Sequence, residues 1–352
     1  MLRLLTLAVI LTALVAYPFV APTYYVNMLS LFLIMGVLAL SVDLLWGYTG
    51  LLSFGQAAFF GLGGYAYAVS SINLLCQVVP EGLAHYSVTC QPGTTYLPIL
   101  MAIAVPLLAA LVLGYFLFYG RVRGIYFSIV TLCVPLILEH VTTNMVEVQI
   151  GNIPIGGYNG ITDIPQPSFG LPGLGLLPVN TPVSFYFLVV TTATAVYLFC
   201  FWLVRTPFGR TLIAIRENEE RTESFGYDVR RYKLWVFAAG GGIAGISGFL
   251  FSTMGSYISP WSFNFVLSAE SVIWVMLGGR GTLVGPFVGA VIVQLLENLL
   301  SGAFLYYWLL ILGVGFVVTV LILPEGIVGL FRQLRFRGAA RGAEKGLAVE
   351  KA

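Results

Sequence analysis

The sequence predicts an all-α, polytopic integral membrane protein of about ten transmembrane helices, with one discontinuous glycine-rich helix. Three observations carry that prediction. Hydrophobic residues make up 59 % of the 352-residue chain and charged residues 9 %, too few charges to cover a soluble surface. Mean hydropathy is +0.93. Uncharged runs over 4–20, 97–118, 183–204, 234–256 and 305–323 approach or reach the about 20 residues that cross a bilayer.

Two readings fit the first twenty residues, where Arg3 precedes an apolar run. One is a cleaved leader; the other is a retained first span. No clear small-residue cleavage site precedes Tyr17-Pro18, which favours the retained span. The run 28–46 contains Asp43. Residues 44–80 carry no acidic or basic side chain, yet as one helix they would extend about 55 Å, far more than a bilayer. The glycines at 47, 50, 55, 61, 63 and 64 therefore break the run into a helix end, a turn and another span. Irregular backbone at membrane depth survives only inside protein or beside a water-filled cavity. Ser53, Gln56 and Phe59 on this stretch are thus expected to line a solute path, the alternative being a packing hinge.

Further spans are expected at 124–141 (with Glu139 and His140), 266–277 and 282–300. Asp43 falls near the inner end of its span, and Glu139, Glu270 and Glu297 near outer ends. Acids so placed do not make a midplane proton relay. Gly240, Ala244 and Gly248, like Gly281, Gly285 and Gly289, recur every fourth residue and read as close helix packing.

Charge fixes the orientation. Residues 205–233 hold seven bases, and the tail after Phe331 holds six more. Residues 71–96 and 142–182 hold none. With about ten spans, the positive-inside rule places every basic group and both termini in the cytoplasm. The organisation is then a transmembrane domain over 1–330, containing a cytoplasmic loop 205–233, and a basic tail over 331–352. Cys76 and Cys90 share the first bare outer loop. In an oxidising compartment they either pair or remain two free thiols.

The loop 205–233 sets seven bases against five acids beside apolar Leu212, Ile213 and Ile215. This predicts a short amphipathic helix that docks on another protein, stopped by Gly226 in a left-handed conformation.

The exclusions are equally informative. A net charge of +2 gives no basis for nucleic-acid binding. Two histidines and the lack of any C-x-x-C spacing argue against a metal or redox centre. No P-loop, G-x-S-x-G or H-E-x-x-H motif occurs, so neither catalytic residues nor a cofactor are expected.

The motifs resemble one family over nearly the whole chain. Pro207, Phe208, Gly209, Arg210, Ala214, Ile215, Arg216, Glu217, Gly226, Tyr232 and Lys233 match the loop pattern of permease subunits of branched-chain amino-acid-type ATP-binding-cassette importers. Arg221 and Thr222 depart from it, standing where the family has an alanine pair. Residues 50–65 (GLLSFGQAAFFGLGGY), 123–131 (RGIYFSIVT) and 278–286 (GGRGTLVGP) are similar as well, and so are Pro324-Glu325-Gly326 and Gly329-Leu330. The resemblance implies a subunit of the bacterial inner membrane, surrounded by lipid and paired with a second related permease. A periplasmic solute-binding protein would deliver solute. Two cytoplasmic ATPases would dock on the loop through Arg210, Arg216, Glu217, Glu220, Gly226 and Lys233. The solute would be a branched-chain amino acid, favoured by GQAAFFG, or urea, favoured by residues 159–163 (NGITD), 215–221 (IRENEER) and 270–275 (ESVIWV). The rival function is an ion-coupled secondary transporter or channel for a small polar solute.

Overall fold

The computed structural model describes residues 12, 14–80, 86–90, 93–145, 148–150, 153–154, 157–171, 175–303, 310, 313–314 and 326–327. The expected first span is described only at residues 12 and 14–20, which are helical. The expected span 305–323 lies largely, and the tail 331–352 wholly, outside the described residues.

Six described helices are long and apolar enough to cross a membrane: α1 (Thr23–Thr49), α2 (Gln56–Leu75), α3 (Tyr96–Tyr119), α4 (Ile125–Asn144), α5 (Pro182–Arg205) and, after two short helices, α8 (Val229–Gly255). The short pair is α6 (Pro207–Glu217) and α7 (Glu219–Ser224). They are followed after α8 by α9 (Phe265–Gly278) and α10 (Gly285–Ala303). Of the two spans expected there, α9 has 14 residues and rises about 21 Å, less than the hydrocarbon thickness.

Burial sorts the helices into a centre and a rim. Helices α1, α2 and α8 are mostly buried, while α3, α4 and α5 turn most of their surface outward. That division follows from side-chain size. A Cβ on Gly63 of α2 would collide with the backbone of Gly245 on α8, and one on Gly248 with the Phe60 carbonyl. Only glycine permits this approach, so the stripe through Gly248 is packing. The other stripe is divided. Gly285 and Gly289 bring α10 against α9, but Gly281 lies before α10 in a turn, with φ +75°.

Caps explain the rim boundaries. Thr181 and Ser184 form a reciprocal capping box at the start of α5, with Pro182 in its first turn. Helix α1 stops where Gly50 turns left-handed at φ 77°.

Short strands gather at the ends of helices away from residues 205–233. Strands β1 (Cys76–Pro80) and β2 (Tyr86–Cys90) form an antiparallel hairpin in which Cys76 faces Cys90 and bonds to it. Two more antiparallel pairs are β3 (Gln149–Ile150) with β4 (Ile153–Pro154), and β6 (Ser168–Leu171) with β7 (Gly175–Pro178). Strand β5 (Ile161–Thr162) pairs with β8 (Tyr257–Ile258) and ties the long outer connection to the end of α8. The Gln166 side chain reinforces this tie by donating to the Thr253 carbonyl at 2.9 Å.

Candidate functional site

Residues 205–233 form a two-helix elbow. Thr206 caps α6, and Pro207 occupies its first turn. Leu212 and Ile215 are buried against the bundle, while Arg210, Ala214 and Glu217 face outward. The single helix expected here is instead two. Asn218 leaves helical geometry at φ −161°, and its side chain accepts from the Arg221 amide at 2.9 Å, capping α7. An Asn side chain satisfies a helix start better than a helix interior. Gly226 follows α7 with φ +88° and open space around it. Between the two helices runs an open groove lined by Arg210, Ala214, Glu217, Arg221, Phe225 and Tyr227.

The inward side of the elbow is held by charge. Lys233 of α8 is 7 % exposed and pairs with Glu219 at 2.6 Å. Arg123, in the α3–α4 connection, stands 3.8 Å from Glu219 and 3.7 Å from Glu223. Arg216 reaches into the bundle, donating from Nη1 to the Gly47 carbonyl at 2.6 Å, while Nη2 holds Glu217 at 2.8 Å. One turn earlier on α1, the buried Asp43 accepts from the Gly281 amide at 2.6 Å and the Leu283 amide at 3.4 Å. Tyr48 adds a hydrogen bond to the Gly281 carbonyl at 3.2 Å. One junction therefore gathers α6, the end of α1 and the α9–α10 turn.

The structure splits the six loop residues singled out by sequence. Arg210, Glu217, Glu220 and Gly226 are exposed, whereas Lys233 is buried and Arg216 half-buried. Sequence reasoning missed Arg123 and Glu219 as anchors. It placed Asp43 near the end of its span without finding its partners in GGRGTLVGP, the motif that held the signal.

Ser53, Gln56 and Phe59 form a second buried cluster at the start of α2. Ser53 Oγ accepts from the Gly55 amide at 3.2 Å, and the Gln56 side-chain amide lies 3.2 Å from Ser41 Oγ, whose hydroxyl donates to the Leu38 carbonyl at 2.6 Å. Phe59 meets Phe237 edge-on. Protein encloses all three. Among the described residues, no group of three His, Cys, Asp or Glu side chains is placed to hold a metal ion.

Residues 24–320 match the family described as branched-chain amino acid transport system / permease component. The chain is 32 % identical to the high-affinity branched-chain amino acid transport system permease protein LivM of Escherichia coli K12, over 97 % of this chain and 79 % of that protein. The Salmonella typhimurium LivM is 30 % identical over the same shares. The ribose import permease protein RbsC of Haemophilus influenzae is 26 % identical over 66 % of this chain and 70 % of its own. No solved structure matches the chain. With its helices, its glycine-packed centre and its elbow in the matched region, the chain belongs to the permease components of branched-chain amino-acid-type ATP-binding-cassette importers.

Proposed function

We propose that this subunit carries a branched-chain amino acid into the cytoplasm, driven by two ATPases seated on the 205–233 elbow. A second, related permease completes the pathway, and a solute-binding protein delivers the amino acid from the opposite side. About ten spans, with both termini cytoplasmic, fit the distribution of basic residues. The two-sidedness of the elbow carries this reading. Its outer face is an open groove with exposed Phe225 and Tyr227, and its inner face is wired to α1 and α8 through Arg216 and Lys233. A surface of that form transmits force from a bound partner into the spans. The names of the LivM relatives favour an amino acid over urea.

Uptake in proteoliposomes tests the proposal, with the second permease and binding protein present. Leucine accumulation that requires the ATPases and internal ATP supports it. Accumulation that follows an ion gradient without them favours the secondary transporter. Uptake of urea alone would replace the solute and leave the importer in place.

A further inference from the structure

We infer that the pocket between the α3–α4 turn and the start of α8 binds the phosphate of an anionic phospholipid, with Arg121, Arg123 and Arg230 as its cationic partners. The inference holds for whichever solute the subunit carries, because it concerns the lipid around the protein.

The first argument is charge. Arg121, Arg123, Arg230 and Lys233 line this pocket with Glu219, beside Phe118. Glu219 holds Lys233 at 2.6 Å, and Arg123 stands 3.8 Å from Glu219 and 3.7 Å from Glu223. Among the described residues, Arg121 and Arg230 pair with no acid. Four bases thus share two acids, and two segments distant in sequence bring them together. Like charges gathered around one pocket repel each other until an anion joins them.

The second argument is the backbone. The turn runs left-handed at Arg121, φ 54°, and again at Gly124, φ 59°. Helix α4 then starts with no side-chain cap, and among the described residues nothing lies within 4 Å of a Cβ built on Gly124. Uncapped first-turn amides and the positive end of a helix dipole, set beside Arg123, favour a phosphate over a neutral guest.

The third argument is depth. Tyr115 and Tyr119 stack on one another at the end of α3, and both are exposed, as is Trp235 on α8. Arg121 follows Tyr119 by two residues, and Trp235 lies about 7.5 Å along its helix from Arg230. Exposed Tyr and Trp at the ends of spans mark the level of the headgroups. Basic pockets between spans at that level bind phospholipid headgroups. The outward face of α3 leading away from the turn shows Leu100, Leu108 and Val112, an apolar bed for acyl chains. A free phosphate or an acidic peptide leaves that bed empty, whereas a phospholipid fills both parts. A headgroup seated here joins the α3–α4 turn to α8, and Lys233 carries the tie to Glu219 of the elbow.

The test places the assembled importer in phosphatidylcholine nanodiscs containing a photoreactive phosphatidylglycerol and maps the labelled peptides by mass spectrometry. Label should fall on residues 115–126 and 229–235. Unlabelled phosphatidylglycerol should displace it where added phosphatidylcholine and inorganic phosphate do not. Arg121→Gln with Arg230→Gln should lower the labelling about tenfold, as expected for two bases facing an anionic headgroup. In phosphatidylcholine alone this double variant should melt at the wild-type temperature, because neither base gives up an acidic partner. Arg210→Gln with Arg221→Gln removes the same charge from the outer groove and should leave the labelling unchanged. Equal loss in that control would reduce the effect to general attraction and overturn the inference. A lowered melting temperature accompanying lost labelling in the first variant would also overturn it, by making the two bases structural. Displacement by inorganic phosphate would leave a free-anion site in place of a lipid site. Labelling retained in the first variant would refute the inference outright, and lost co-purification of the ATPase beside it would assign the pocket to an acidic segment of that partner.

Discussion

Arg216 holds α1 by its backbone: the guanidinium donates to the carbonyl of Gly47 at 2.6 Å. That carbonyl lies in the last turn of α1, where the helix leaves acceptors without intrahelical partners. A cation there also meets the negative end of the helix dipole. The elbow thus grips α1 through its backbone and not through a side chain.

Removing this grip should uncouple the protein without dismantling it. In Arg216→Ala, a hydrogen bond from a charged donor is lost, worth about 1.5–3 kcal/mol. Solute uptake should fall at least severalfold while the ATPase still co-purifies, because the outer groove is intact. Pull-down and uptake measured on the same preparation check this. Equal loss of both would place Arg216 at the docking surface instead.

Gly226→Arg should have the opposite signature. A side chain at φ +88° costs on the order of 1 kcal/mol, too little to unfold a packed bundle. Among the described residues nothing lies within 4 Å of the added Cβ, so their packing is spared. Expression should stay near normal, and ATPase co-purification and solute-stimulated hydrolysis should fall together. Full retention of both would exclude this face as the docking site.

Lys233 and Glu219 give a stability test. Truncating Lys233 to Met leaves Glu219 facing α8 without its 2.6 Å partner. Breaking a buried pair from one side costs about 3–5 kcal/mol, whereas replacing both partners is far milder. Glu219 is 28 % exposed and Arg123 still stands near it, so the loss should fall below that range. Lys233→Met should lower the melting temperature, and Lys233→Met with Glu219→Gln should recover much of it. Melting of the single variant at the wild-type temperature would refute this.

The β1–β2 hairpin joins Cys76 to Cys90. Mass spectrometry without reduction should recover their peptides linked. Alkylation of both thiols in freshly isolated membranes would rule the bridge out. Closing a loop of about 15 residues is worth roughly 3 kcal/mol in the chain-entropy model, so reductant should loosen the hairpin first.

Local signals in the sequence were readable, and long-range ones were not. Charge-free length plus clustered glycines located the break between α1 and α2, because no continuous helix of that length fits a bilayer. Gly226 was legible as a left-handed stop, since few other residues adopt that conformation cheaply. Asn218 was not, because mixed charge on both sides continues a helical pattern that one side-chain cap interrupts. Lys233 looked like another docking base, yet folding turns it inward to Glu219. Asp43 finds the Gly281 amide across 238 positions. No periodicity within one helix encodes a partner that distant, and it emerges only when α1 and the α9–α10 turn meet.

The division between a buried centre and an apolar rim also bears on how the chain enters the membrane. Helix α2, with Gln56 and its serines and glycines, carries the least apolar membrane-length stretch of the six long helices. Its closest partner, α8, is synthesised long after it. During translation α2 is therefore covered first by α3, which follows it directly and packs on it, and only much later by α8. A chain halted before α8 would expose its glycine face to lipid and to membrane proteases. Completion of α8 is the event that covers this face, because Gly63 and Gly64 meet the backbone of Gly245 and Gly248.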